Sequence, residues 1–419
     1  MGSGPLAAAR GVVSTPVGAA GRKRASAGWR GQMDFALSEE QQMFRDLFRE
    51  FARKEVWPRA ELTDKAEQLS AEVVQKAAAQ GFLGMLIPEA YGGAGLDYLS
   101  TCLLIEELGR ACMSTAVTVA IQTALVGLTV LAAGDEAQKR AYLPRLATGE
   151  TLGAFAQTEP DAGSDVSAIQ TTARRDGDTY VLNGIKSWVS NAGVAGLFLV
   201  MAQVPVENGR NGLTMFLVER DTPGLTLGYP EPTMGLRGLT IHTIYLENCR
   251  VPVSQRLGAE GEGWPIASGA LDRMRLALAA AALGLAQAAL DLGRRYAAER
   301  SQFGVPIATK QAIANYFADT VTEIEALRSL VYRGAWLYDR GEDFRGLAAM
   351  AKLFGAQVAR NAANRMLQVH GGYGFSDEYA ISRLYRDARA LDFLGGTTQI
   401  QRVIIAQDVF REVGVEVKP

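Results

Sequence analysis

The sequence predicts an α+β fold in three consecutive parts, helical, then β, then helical, and two changes of periodicity carry that reading. Apolar residues recur at helical spacing up to about residue 150, β-rich runs between turn pairs follow, and long helical segments return after Gly261-Glu262-Gly263-Trp264. The expected units are a leader at 1–32, a helical domain at 33–150, a small β-barrel domain at 151–262 and a helical bundle at 263–419. With 419 residues, 48% of them hydrophobic, the chain can bury a large core.

Each part has its own markers. Ser38 and Gln41 form a capping box, and Phe44, Leu47, Phe48 and Phe51 repeat at helical spacing until Trp57-Pro58. Further helices are expected over Ala71 to Gln80, Leu99 to Arg110, Thr115 to Ala132 and Glu136 to Leu146. In the β part, Asp176-Gly177 and Asn183-Gly184 are turn pairs. They bracket Tyr180 to Leu182, and Leu197 to Met201, Leu213 to Val218 and Ile241 to Leu246 follow as strands. Ile266 to Glu299, Lys310 to Tyr338, Phe344 to His370 and Thr398 to Phe410 suffice for a four-helix bundle.

Composition excludes several function classes. A net charge of -2 without a basic stripe gives no footprint for nucleic acid. Cys102, Cys112 and Cys249 are isolated, and His242 lies far from His370, so no metal site is expected and the thiols read as small buried hydrophobes in a reducing compartment. The longest apolar run, Leu276 to Leu290, is too short for a bilayer, so no membrane partner is expected. Residues 1–32 hold Ala, Gly, Ser and Arg with no acid before Asp34. That composition fits either a transit peptide or an extension upstream of an initiator at Met33. The second accords with the excess of Arg over Lys along the whole chain and implies a cytoplasmic protein, the first a mitochondrial matrix protein.

Four short stretches carry chemistry. Phe155-Ala156-Gln157-Thr158-Glu159-Pro160-Asp161-Ala162-Gly163-Ser164-Asp165 and Asn183-Gly184-Ile185-Lys186-Ser187-Trp188-Val189-Ser190-Asn191 offer small hydroxyls and close backbone approach to a planar ligand. Arg300-Ser301-Gln302-Phe303-Gly304 with Gln311, and Gln368-Val369-His370-Gly371-Gly372-Tyr373-Gly374, bring a cation and closely spaced glycines. His370 is expected to be a packed residue without chemistry.

In order and spacing these stretches resemble the T-E-P-x-A-G-S-D, N-G-x-K-x-W-[IV]-[ST]-N, R-x-x-F-G…Q and Q-x-x-G-G-x-G motifs of the acyl-CoA dehydrogenases. Leu394-Gly395-Gly396-Thr397-Thr398-Gln399-Ile400-Gln401 resembles that family's (Tyr)-Glu-Gly-Thr-x-Gln-Ile-Gln segment. The resemblance implies FAD as cofactor and an acyl-CoA as substrate. Thr158 and Ser190 would bond the flavin ring, Trp188 would cover it, and Phe155, Ser164, Thr397 and Gln399 would complete the cradle. Arg300, Phe303, Gln311, Gln368, Gly371 and Gly372 would reach the cofactor of a neighbouring subunit in a homotetramer, or in a heterotetramer with a paralogue. An electron-transfer flavoprotein is the expected partner in electron transfer. Ser164, Asp272, Arg275 and Gly395 would touch substrate.

One position departs from the pattern. Gly395 stands where the family keeps the glutamate that removes the α-proton, and Met274 fills the alternative seat within Leu271-Asp272-Arg273-Met274-Arg275. Asp392, three residues away, is expected at the surface or as a cap rather than as a displaced base. A base from an unrecognised residue, a glutamate-less chemistry such as desulfination, and a non-catalytic subunit therefore remain open, with a flavin monooxygenase as a weaker fourth. Glu106-Glu107-Leu108-Gly109-Arg110-Ala111-Cys112 resembles the stretch that precedes the desulfinase arginine, but no arginine follows in Met113 to Ala120, which counts against desulfination.

Overall fold

The computed structural model describes residues 36–205, 211–411 and 413–417, so the leader and Met33 lie outside the described residues. Helix α1 (Glu39–Phe51) starts at the Ser38–Gln41 capping box. It does not run straight to Trp57-Pro58. Pro58 has no N–H to donate back along the helix, and the chain loosens into wide turns over Ala52–Val56 and a tight turn over Trp57–Arg59 before α2 (Ala60–Lys65). Helices α3 (Ala71–Ala79), α4 (Tyr98–Ala111), α5 (Met113–Ala120), α6 (Leu128–Ala133) and α7 (Glu136–Ala147) complete the first unit, with π-helical turns at Ile121–Gly127 joining α5 to α6. Phe48 and Phe51 meet Phe82 edge-on, which fixes α1 against this core.

The middle unit is one eight-stranded sheet. Its strands are β1 (Leu152–Ala156), β2 (Thr172–Asp176), β3 (Thr179–Val189), β4 (Ala195–Pro205), β5 (Asn211–Glu219), β6 (Leu225–Pro230), β7 (His242–Pro252) and β8 (Arg256–Leu257). The order is β6-β7-β3-β2-β4-β5-β8, with β1 parallel to β4. Asp176-Gly177 opens the β2–β3 hairpin as expected, whereas Asn183-Gly184 is no turn. β3 passes through it, with a register shift against β7 between Leu182 and Gly184. A Cβ on Gly184 would stand 2.4 Å from Thr171 Oγ1, so the glycine lets backbone through a crowded spot within a strand.

The last unit holds α8 (Gly263–Glu299), α9 (Gln311–Asp339), α10 (Arg345–His370), α11 (Ala380–Ala390) and α12 (Thr398–Arg411). Five helices thus stand where four were expected, the short amphipathic α11 being the addition. Helix α8 is alanine-rich because neighbours press on it closely. A Cβ on Gly109 of α4 would meet Ala281 O at 2.5 Å, and one on Gly284 would meet Glu106 O at 2.0 Å. Met113–Ala133 and Gly263–Glu299 are long and apolar enough to cross a membrane, but most of each is buried inside the protein, as core helices are.

Glu106 and Glu107 belong to this packing. Glu106 is buried and accepts from Gln287 (2.7 Å), Arg328 (2.7 Å) and the Tyr332 hydroxyl (2.9 Å), tying α4 to α8 and α9. Glu107 pairs with Arg49 of α1 at 2.8 Å. All three cysteines are free and buried, and burial pushes the Cys249 thiol up to about 11. Among the described residues no cluster of His, Cys, Asp and Glu could hold a metal ion.

Candidate active site

The first two motifs are locked to each other. Lys186, fully buried on β3, donates to Glu159 at 2.7 Å and to the Gln157 carbonyl at 3.1 Å, while Ser187 N–H donates to the Thr158 carbonyl at 2.8 Å. Glu159 also accepts from the backbone N–H groups of Gln170 (2.6 Å) and Thr171 (2.9 Å). Burial pulls the Lys186 ammonium down to about 8, against the pull of Glu159. A buried ion pair with its remaining lone pairs satisfied holds the loop that carries Thr158 and Ser164 at a set height over the sheet.

Beyond Lys186, β3 slips register again before Val189, and Trp188 takes a left-handed backbone with φ 57°. A bulky residue rarely accepts that conformation. The bulge leaves the indole 60% exposed at the rim of a cavity while Lys186 and Val189 stay inside. Asn191, also left-handed, accepts from Thr118 Oγ1 at 3.1 Å and anchors the turn after β3 to α5.

That cavity, about 760 Å³, lies where all three units meet. The β unit contributes Phe155, Thr158, Ser164, Trp188 and Ser190. The π-helical turns add Ile121 and Leu125, and the bundle adds Met274, Arg275 and Gly395 to Thr397. Gln157 Oε1 is a buried acceptor on this wall with no partner among the described residues. Hydroxyls, an orphaned polar atom and a large indole around an apolar volume fit a planar ring that itself carries donors and acceptors. Motif reading missed Trp264, Phe393 and the arginines of α11, Arg386 and Arg389, which also reach the wall. The signal for the arginines was α11 itself, along which Ile381, Leu384 and Ala388 repeat at helical spacing.

Under the Gly395-Gly396-Thr397 turn sits a layer of donors. Arg275 Nε donates to the Gly395 carbonyl (3.2 Å) and its Nη1 to Asp272 (2.5 Å), while Lys352 Nζ donates to the Gly396 carbonyl (2.6 Å). Gln401 Nε2 reaches the carbonyls of Gly395, Gly396 and Thr397 at 3.3, 3.0 and 3.4 Å. Gly395 and Gly396 have φ of 67° and 94°, a pair of left-handed residues that suits glycine. Burial holds the Lys352 ammonium down near 7, with Asp392 opposing and Arg275 assisting.

Asp392 is not at the surface. It is 5% exposed, pairs with Arg389 and with Arg360 (3.1 Å), and does not line the cavity. Two guanidinium partners and a seat behind the turn remove it as a base. Met274 lines the cavity and offers no proton acceptor. Among the described residues on this wall there is no Asp, Glu, His, Lys, Cys or Tyr, and the charged groups are three arginines.

The other expected cofactor residues stand elsewhere. Arg300, Gly371 and Gly372 line a second cavity of about 520 Å³ with Tyr296 and His370. His370 stacks on Tyr296 and bonds the Met366 carbonyl at 2.7 Å, a packed residue. Phe303, 93% exposed, lies outside both cavities, as do the exposed Gln311, Gln368 and Gln399. Arg275 and Arg300 are 25 positions apart, so about 37 Å of helix rise and turn separates the two sites.

The sequence and the fold recur in known proteins. Residues 38–150, 154–249 and 261–410 match the models of the acyl-CoA dehydrogenase N-terminal, middle and C-terminal domains. A probable acyl-CoA dehydrogenase of Bacillus subtilis is 41% identical over 90% of this chain and 100% of its own length. Butyryl-CoA dehydrogenase of Megasphaera elsdenii superposes with a TM-score of 0.88 at 36% identity, covering 90% of this chain and 100% of that one. A glutaryl-CoA dehydrogenase from Mycobacterium smegmatis in complex with FADH2 gives 0.84 at 28%, covering 89% and 95%. Agreement over all three units, in sequence and in shape, means that this chain belongs to the acyl-CoA dehydrogenase family.

Proposed function

We propose that this chain is an FAD-dependent oxidoreductase acting on the α and β carbons of an acyl-CoA thioester. The observation that carries the reading is the single cavity onto which Thr158, Trp188 and Ser190 from one side and the Gly395 turn from the other both open. Thr158 and Ser190 would hold the flavin ring by hydrogen bonds and Trp188 would cover it. When bound, FAD accepts a hydride from the substrate's β-carbon. The chain's own part is to place the thioester: Asp272 and Arg275 steady its entrance, Ser164 borders it, and the N–H of Gly395 is available to the carbonyl oxygen.

The distance between the two cavities supports completion of each cofactor site by another copy. Arg300 with Gly371 and Gly372 would take the diphosphate and nucleoside end of a neighbour's FAD, with Phe303, Gln311 and Gln368 meeting it across the interface. Phe303 and Phe375, 93% and 88% exposed near that second cavity, are the sort of surface an assembly covers. The assembly is a homotetramer or a heterotetramer with a paralogue, in the cytoplasm, handing electrons to an electron-transfer flavoprotein. The wall without a proton acceptor favours the glutamate-less reading over a hidden base. Purification tests the proposal: the protein should be yellow, release FAD on denaturation, and shift its flavin spectrum on binding acyl-CoA. A colourless folded protein that takes up no FAD ends it.

A further inference from the structure

An enolate can be made without a base if the group that leaves the α-carbon is something other than a proton. Gly395, without a side chain, lines the cavity together with Gly396 and Thr397. The cation on the wall there is the Arg275 guanidinium, which Asp272 holds from one side. Arg275 is 4% exposed; two of its nitrogens are engaged by Asp272 and Gly395, and Nη2 has no hydrogen bond among the described residues. That Nη2 lies 3.8 Å from where a Cβ on Gly396 would stand. The carbonyls of Gly395, Gly396 and Thr397 are all drawn onto Lys352, Arg275 and Gln401. Their three amide N–H groups have no partner among the described residues, and all three residues line the cavity. Successive free N–H groups beside a buried guanidinium receive an anion.

We propose that the substrate is a 2-carboxyacyl thioester, a malonyl-type acyl chain bearing a carboxylate on its α-carbon, and that loss of this carboxylate takes the place of proton abstraction. The inference rests on the flavin reading above. The bond between the α-carbon and the carboxylate carbon breaks, carbon dioxide leaves, and the electron pair remains as the thioester enolate with its oxygen on the N–H of Gly395. The pair then forms the α,β double bond as a hydride departs the β-carbon for oxidised FAD, so the products are carbon dioxide, the enoyl thioester and the two-electron-reduced cofactor. Gly396 and Thr397 N–H groups and Arg275 Nη2 orient the carboxylate. The apolar remainder of the wall, Leu125, Met274, Phe393 and Leu394 among it, favours neutral carbon dioxide over the charged group. The same lack of acids leaves the enolate no proton from the wall, so oxidation takes precedence over simple decarboxylation.

The test uses the holoprotein, without oxygen, and 2,2-dimethylmalonyl-CoA labelled in its free carboxyl, which has no α-proton for any base to take. Flavin bleaching with one labelled carbon dioxide and one methacrylyl-CoA per flavin is expected, while isobutyryl-CoA leaves the flavin oxidised. Calorimetry on flavin-depleted protein gives a second readout. A CoA thioether bearing the 2-carboxylate should bind about ten- to a hundredfold tighter than the same thioether without it. Gly395→Glu should invert both results, bleaching with isobutyryl-CoA and losing the preference for the carboxylate, and Gly395→Ala reports any cost to folding. A yellow protein that bleaches with isobutyryl-CoA, that releases no labelled carbon dioxide, or that binds the two thioethers equally overturns the decarboxylative route and leaves the flavin reading standing. A colourless protein overturns both.

Discussion

Gly395→Glu puts a carboxylate into the turn that lacks one, and the structure sets both its cost and its gain. The backbone there is left-handed, φ 67°, which costs a side chain about 1–2 kcal/mol. The new Cβ would come 2.9 Å from Leu278 Cδ1, the far end of a leucine that can turn aside. A loss of about 2 kcal/mol from an ordinary stability of about 5–15 kcal/mol leaves the fold intact. A positioned base contributes about 10²–10⁴ in rate. Anaerobic stopped-flow bleaching with butyryl-CoA measures it, with Gly395→Ala as the control that carries the backbone strain without the carboxylate. Wild type and the alanine variant should bleach slowly, and the glutamate variant about 10²–10⁴ times faster. Equal rates in wild type and the glutamate variant would refute the reasoning, since they require a proton acceptor that the cavity wall does not contain.

Three further outcomes are expected. Lys186→Met should leave Glu159 buried against two N–H groups without its cation, destabilise the protein by about 3–5 kcal/mol in urea denaturation and weaken FAD retention; unchanged stability would show that the pair does not hold the Thr158 loop. For Lys352, folding lowers the pKa to about 7, so between about pH 7 and 10 the unfolded chain binds more protons and stability rises with pH. Lys352→Met should lower that slope by up to about 1.4 kcal/mol per pH unit, read as urea midpoints at pH 7 and pH 9; identical slopes would place the charge elsewhere. Arg300→Met, distant from the main cavity, should release FAD from the assembled protein without changing the secondary structure seen by circular dichroism; full retention of FAD would argue against completion of the site by another copy.

Much of the architecture was legible because it is local. The Ser38–Gln41 box, the Asp176-Gly177 hairpin and the long bundle helices each declare themselves within one or two turns of chain. What was illegible depends on distant neighbours. Asn183-Gly184 has the composition of a turn, yet Thr171 and β7 hold it inside a strand. α11 carries arginines that meet Asp64, the Met234 carbonyl and Asp392, partners that lie on other elements and that its own short stretch does not specify.

The sequence alone determined which chemical groups were present and, through the order of its motifs, the family and its cofactor. It also put Gly395 in the segment that resembles the family's Glu-Gly-Thr stretch. Only the tertiary structure decided that, among the described residues, no other proton acceptor lines the cavity. Whether a carboxylate such as Asp392 can take a proton in the cavity turns on two arginines, one of them on another helix, and on which side of a turn it is buried. Exposure and ion pairing are properties of packing, fixed by contacts between residues far apart in the chain, and spacing along the sequence does not encode them.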